Sequence, residues 1–189
     1  MQQITFISVI CIVLLAACDN TKSYTQSQNT NSPPQVEPLT RIAQDSEGVS
    51  KTSRQIPFSK GQVIFVPAYS HIYHGDRHER FPLTITLSIR NTSLTEAIVI
   101  RSVRYYNSGG KLVKDYTEGN LQLAPLATAE FFIPQRDSSG GSGANFIIEW
   151  VAGKKSVTEP RIEAVMIGTS FQQGVSFTTA GEVIQELKP

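Results

Sequence analysis

The sequence predicts an all-β fold: an antiparallel immunoglobulin-like β-sandwich preceded by a lipoprotein signal and a disordered tether. Three observations carry this expectation. From residue 56 onward, apolar side chains recur at every second position, the period of a strand with one buried face. Turn-forming residues punctuate the chain, with 13 Gly and 10 Pro among 189 residues, and such punctuation between short strands favours two packed sheets. No segment has the 3.6-residue apolar period of an amphipathic helix. An open barrel is the second architecture that fits the pattern.

Residues 1–17 read as a leader. Met1 to Cys18 carries no charged side chain, and Ile4 to Ala17 is an unbroken run of apolar and small residues. That run is shorter than the roughly 20 apolar residues a membrane-spanning helix needs, and it suits the apolar region of a secretory signal. It ends Leu15-Ala16-Ala17-Cys18, which resembles the bacterial lipobox. The resemblance implies that Cys18 is linked to diacylglycerol and becomes the mature N-terminus. The usual Lys or Arg near the start is missing, so a plain secretory signal or a short anchor is the competing reading. Each buried methylene contributes about 0.8 kcal/mol, so two or three acyl chains on Cys18 would hold the protein to a bilayer. With Cys11 removed and Cys18 lipidated, the mature domain is expected to hold no thiol, hence no disulfide and no Cys nucleophile. Asp19 follows directly; it resembles the signal that keeps enterobacterial lipoproteins in the inner membrane, while its simpler reading is a polar start to a linker.

Residues 18–55 form the lipidated Cys and tether. They are rich in Asn, Gln, Ser and Thr with Pro33, Pro34 and Pro38, and have too few large apolar groups to offset the entropy of ordering. The folded domain is expected over residues 56–189. Leu83, Ile85, Leu87 and Ile89 share one strand face, with Thr84, Thr86, Ser88 and Arg90 on the other. Ala97 to Tyr106 is a second strand whose alternation breaks at Arg101-Ser102, the mark of a bulge. Asn107-Ser108-Gly109-Gly110 then reads as a hairpin turn into Lys111-Leu112-Val113. Further strands are expected at Gln62–Val66, Thr128–Ile133, Asn145–Val151, Ile162–Ile167, Gly174–Phe177 and Val183–Leu187. Pro67, Pro82, Pro125, Pro134 and Pro160 are expected at strand ends, where a missing N–H costs least.

Three groups of side chains carry candidate chemistry. His71, His74 and His78 are the only histidines in the chain; with Asp76 or Glu79 they are the residue types of a zinc or copper site. In a strand, however, His71 and His74 point to opposite faces, so a shared ion requires a bend, and the plainer reading is a polar loop. The loop around Gly140, Gly141, Ser142, Gly143 and Asn145 has the glycine content of an anion-binding nest of N–H groups. It lacks both the Gly-Lys-Ser/Thr of a phosphate loop and the Gly-x-Ser-x-Gly of a hydrolase elbow, and the plainer reading is a flexible connection. Arg90, Arg101, Arg104, Tyr105 and Tyr106 combine arginine with tyrosine, the composition of a contact surface, or else of a solvated sheet face. Phe146, Ile148 and Trp150 alternate on one face and read as core.

Four blocks, Val66-Pro67-Ala68-Tyr69-Ser70-His71-Ile72-Tyr73-His74-Gly75-Asp76, Leu87-Ser88-Ile89-Arg90-Asn91-Thr92, Gly140 to Trp150, and Glu163-Ala164-Val165-Met166-Ile167-Gly168, together resemble a bacterial family known only as a domain of unknown function. Many of its members look like lipoproteins. The resemblance spans roughly residues 60 to 185 and supports the domain boundary; it implies no activity and no cofactor.

Lys plus Arg is 17 against 16 Asp plus Glu, a net charge of +1. That balance excludes the basic stripe a nucleic-acid binder needs. The expectation is a non-enzymatic lipoprotein of the bacterial envelope, facing the periplasm or the exterior, with the inner membrane favoured by Asp19. Its partners are membrane lipid through acylated Cys18 and an envelope protein or small ligand, with no cofactor. A metal-binding module using the His cluster is the alternative, and a hydrolase the last.

Overall fold

A computed structural model describes residues 48–52, 57–170 and 173–189. The alternating segments form β2 (Lys60–Ala68), β5 (Thr84–Arg90), β6 (Ile98–Tyr106), β9 (Thr128–Ile133), β10 (Ala144–Ala152), β11 (Arg161–Ser170), β12 (Gln173–Ala180) and β13 (Glu182–Glu186). Five shorter strands join them: β1 (Val49–Thr52), β3 (His71–His74), β4 (Glu79–Pro82), β7 (Leu112–Asp115) and β8 (Asn120–Leu123). All pairings are antiparallel. One sheet runs β1-β8-β6-β10-β2-β13, with β7 also on β6; the second runs β12-β11-β5-β9; β3 and β4 form a separate hairpin. No helix occurs among the described residues.

The inner faces of the two sheets interleave into a single core. Ile85, Leu87 and Ile89 from β5, with Leu83 just before it, are fully buried, as are Phe146, Ile148 and Trp150 from β10. Trp150 keeps its indole N–H satisfied by donating to Gln62 Oε1 at 3.2 Å. The expected bulge in β6 is present. Ser102 opposes Glu149 and Ile100 opposes Trp150, leaving Arg101 as the extra residue. Ile98 and Ile100 before it, and Val103 and Tyr105 after it, are therefore all buried, although their spacing is not a multiple of two.

The same bulge corrects one expectation. Tyr105 is not part of a surface with Tyr106: it is 1 % exposed. Pro125, Pro134 and Pro160 flank strands and Pro82 ends one, but Pro67 lies inside β2. It is tolerated there because the pairing of β13 with β2 stops at Phe65, so on that side no ladder bond is asked of residue 67.

The expected boundary at residue 56 is also corrected. Val49–Thr52, inside the segment read as tether, pairs with β8 along its whole length. Val-Ser-Lys-Thr has no apolar alternation to announce a strand; it forms because β8 leaves an open edge, and Val49 packs against the core.

Asn91 ties the sheets together. It follows β5 in the second sheet, and its Nδ2 donates to Leu123 O (3.2 Å) and Ala124 O (2.9 Å) at the end of β8 in the first sheet, and to Glu96 O (2.8 Å). Its Oδ1 accepts from Ser93 N at 3.0 Å. Asn91→Ala leaves buried carbonyls without these donors, and each unsatisfied group costs about 1–3 kcal/mol. The expected loss is about 2–4 kcal/mol, read as a lower urea midpoint at unchanged m-value; a change below 0.5 kcal/mol, the scale of an ordinary surface substitution, contradicts the role.

Candidate functional site

The His segment folds as a hairpin, β3 pairing β4 with His71 opposite Pro82, Ile72 opposite Phe81, Tyr73 opposite Arg80 and His74 opposite Glu79. Side chains alternate, so His71, Tyr73, Arg80 and Pro82 share one face and Ile72, His74, Glu79 and Phe81 the other. Phe81 lies against Gly168 of β11: a Cβ there would overlap its ring and sit 2.8 Å from Pro82 O. Glycine in the Glu163–Gly168 block thus serves as the seat of the hairpin.

This geometry corrects the metal-site expectation. His71 is 5 % exposed, whereas His74 and His78 are exposed. His78 sits in the turn at φ 53°, and Asp76 is exposed in the same turn. Among the described residues no three His, Cys, Asp or Glu side chains come together to hold a metal. Strand parity separates His71 from His74, and the bend at Gly75 comes after both.

Both ring nitrogens of His71 are buried without a hydrogen-bond partner among the described residues. Tyr73 stands edge-on to the imidazole, with ring centroids 5.2 Å apart. Burial, with the charge of Arg80 as the lesser cause, holds the imidazole below its ordinary value.

The glycine loop borders the hairpin but is not an open nest. Gly141 N donates to Ser138 O and Gly143 N to Ser108 Oγ, while Gly140 O and Gly141 O accept from Ser108 N and Ser70 N. The Gly141 and Gly143 amides are thus taken up inside the protein, and the anion-nest expectation at Gly140, Gly141, Ser142, Gly143 and Asn145 loses the two N–H groups of its central glycines. Asn145 itself opens β10, opposite Pro67 and Tyr106. Gly140 is needed for packing: a Cβ there would overlap Tyr105 Oη and lie 2.7 Å from Ser70 Oγ. The Ser70 and Tyr105 hydroxyls are hydrogen-bonded at 3.0 Å, and burial is the main cause that raises the Tyr105 phenol above its ordinary value.

The arginines divide by environment. Arg90 and Arg161 both bind Glu163, and these bonds, that from Arg161 first, hold its carboxyl below the usual range. Arg101 pairs with Glu149 at 3.1 Å and lies over the Phe58 ring, 4.4 Å from its centroid. Arg104 is different. Its Nε is buried without a hydrogen-bond partner among the described residues. In register it stands beside Ile147, which stands beside Phe65, and all three are half-buried on the outer face of the first sheet. Tyr106 is half-buried on the same face. Alternation within β2 and β10 marks Phe65 and Ile147 as outward-facing; which strands lie side by side, and hence this row, is not written in the sequence. Cys18 and Asp19 lie outside the described residues.

The sequence profile described as "Protein of unknown function (DUF3124)" matches residues 61–184. The chain belongs to the DUF3124 family. The match runs from the start of β2 into β13, so it includes both inner faces and the hairpin but not β1. Among curated proteins none matches. One solved structure, "Crystal Structure of Thermotoga maritima 1070", is similar at 11 % identity, covering 67 % of this chain and 96 % of that one, with a TM-score of 0.38.

The buried imidazole makes the stability of this DUF3124 domain depend on pH. His71 has a lowered value in the folded state, so the unfolded chain binds its proton more readily. Stability is therefore lost as pH falls below the ordinary value of 6.5, with a limiting slope of about 1.4 kcal/mol per pH unit. Urea midpoints measured from about pH 7.5 to 5.5 should fall for the wild type and fall less for His71→Phe. Glu163 titrates in the lower carboxylate window and does not enter this range. Parallel profiles for the two proteins contradict the assignment.

Proposed function

We propose that this DUF3124 protein is a lipid-anchored protein of the bacterial cell envelope whose sandwich is a non-catalytic binding module for another envelope protein. The observation that carries the binding reading is the row Phe65, Ile147 and Arg104 across β2, β10 and β6. A solvated sheet face is ordinarily polar. Here an aromatic ring, a branched aliphatic chain and a guanidinium whose buried Nε has no hydrogen-bond partner among the described residues stand side by side. Aromatic and Arg side chains are the residue types that dominate binding energy at protein interfaces. The address rests on Leu15-Ala16-Ala17-Cys18 after an apolar run, with acyl chains on Cys18 as the membrane contact and Asp19 favouring the inner membrane.

Two experiments test the two halves. Metabolic labelling with palmitate should mark the wild type and not Cys18→Ser; equal labelling removes the anchor. For the surface, crosslinking in live cells should capture a partner that Arg104→Glu reduces by about tenfold or more, the effect of losing roughly 1.4 kcal/mol at a buried charge. Leu94→Ser, at an exposed residue outside this face, should leave capture unchanged. Equal recovery with Arg104→Glu excludes the face.

A further inference from the structure

One end of the sandwich gathers two exposed leucines. Leu94 is 78 % exposed in the connection between β5 and β6, and Leu126 is 64 % exposed in the turn between β8 and β9. Asn91 fixes both. Its Nδ2 donates to Glu96 O and Ala124 O, and its backbone N donates to Ala127 O at 2.9 Å. Ser93 Oγ accepts from Glu96 N at 3.0 Å, closing the chain around Leu94. Ala127 N donates to Ala124 O at 3.1 Å, closing the turn around Leu126. The two apolar side chains are thus carried on tight turns rooted in one buried asparagine, unlike leucines scattered singly over a surface. Leu126 is also strained. Its φ is 62°, a left-handed conformation that at this turn position belongs to glycine or asparagine. A backbone kept in strain to display an exposed apolar side chain is the mark of a contact site.

The same end receives the chain from residues 18–47. Gly48, the residue before β1, accepts at its carbonyl from Ala124 N at 2.9 Å, at the start of the Leu126 turn. A Cβ on Gly48 would lie 3.2 Å from Ala127 Cβ. A chain as long as residues 18–47 reaches at most about 100 Å. Acyl chains on Cys18 therefore hold this end near a bilayer at a local concentration on the order of 1 mM, where a contact too weak for a free protein suffices. Charge at this end suits lipid headgroups. Glu96 is paired with Lys154 at 2.6 Å and Glu159 with Lys60 at 3.2 Å. Lys155, exposed beside Lys154 in the connection between β10 and β11, has no ion pair among the described residues. A bilayer takes up single apolar side chains without a matching shape, whereas a protein partner needs a continuous complementary area.

We propose that this end of the sandwich, through Leu94, Leu126 and Lys155, rests in the surface of the phospholipid bilayer that holds Cys18. The leucines enter the boundary of the acyl chains and the lysine meets the phosphates. The proposal rests on the lipid-anchored reading and adds an orientation to it. Because β5 runs from the hairpin to Asn91, the hairpin lies at the far end and faces away from the membrane. The contact shares no residue with the Arg104 face. Leu94→Ser keeps the acyl anchor and Leu126, so it leaves partner capture at that face untouched.

The test places the full-length protein in vesicles of phosphatidylethanolamine and phosphatidylglycerol whose acyl chains carry bromine, a contact quencher of tryptophan. Trp150 is the only tryptophan and is fully buried, so it contributes a constant background. Bromine should quench Leu94→Trp and Leu126→Trp but not Tyr73→Trp, at an exposed position of the hairpin. Adding Leu126→Gly to Leu94→Trp should lower the ratio of bound to unbound ends about tenfold, the scale of one leucine no longer buried. Its urea midpoint should not fall, because glycine relieves the strain at residue 126. Equal quenching at both ends, no quenching at either leucine position, or full quenching retained with Leu126→Gly overturns the proposal. So does a blue shift at these positions without quenching, which means that a second copy of the chain covers them. Palmitate labelling reads the anchor separately. A labelled chain without quenching sinks the contact and keeps the anchor; quenching in an unlabelled chain keeps the contact and removes the anchor.

Discussion

One residue out of step, Arg101, holds much of this architecture in place. Without the bulge, β6 would present Ile98 and Ile100 to the core and turn Val103 and Tyr105 to solvent. With it, both halves of the strand bury their apolar members against β10. Arg101 is then free to reach Glu149 and the Phe58 ring. Arg104 is left on the outer face beside Ile147. The core and the candidate contact surface are thus two results of the same phase change.

Inward placement of Tyr105 has a second consequence. Its hydroxyl meets Ser70 at the root of the hairpin, and both lie where only a hydrogen fits on Gly140. Ser70 N and Ser108 N bind the carbonyls of Gly141 and Gly140. Three chain segments distant in sequence are therefore locked at one buried polar point, where satisfied hydroxyls and amides are worth more than at the surface. The glycine loop looks like ligand-binding backbone because glycine permits close approach; here what approaches is the protein's own tyrosine.

The two ends of the hairpin differ in constraint. Its base is held by Ser70, by Phe81 against Gly168 and by Gln135 on Pro82 O. Its tip, from Gly75 to Glu79, is exposed throughout and has little apolar contact to order it.

Alternation made the long strands legible, β5 and β10 above all, since one buried face leaves its period in the residues. The break at Arg101-Ser102 even located the bulge. The short polar strand β1 was illegible, because its stability comes from the neighbour it pairs with rather than from its own side chains. Histidine spacing suggested a metal; parity within β3 argued against it, and the hairpin separates the three rings. Pro82 and Gln135 carry no spacing that marks them as neighbours. By itself the sequence determined which side chains face inward along strands of unbroken alternation such as β5 and the Phe146–Trp150 stretch of β10, because period and burial are local there; past the bulge in β6 it did not, as buried Tyr105 shows. Only tertiary structure decided that Phe65, Ile147 and Arg104 share a row, and that His71 is buried under the influence of Arg80 while His74 and His78 are exposed. Proximity between strands is set by sheet order and register, which no single segment encodes.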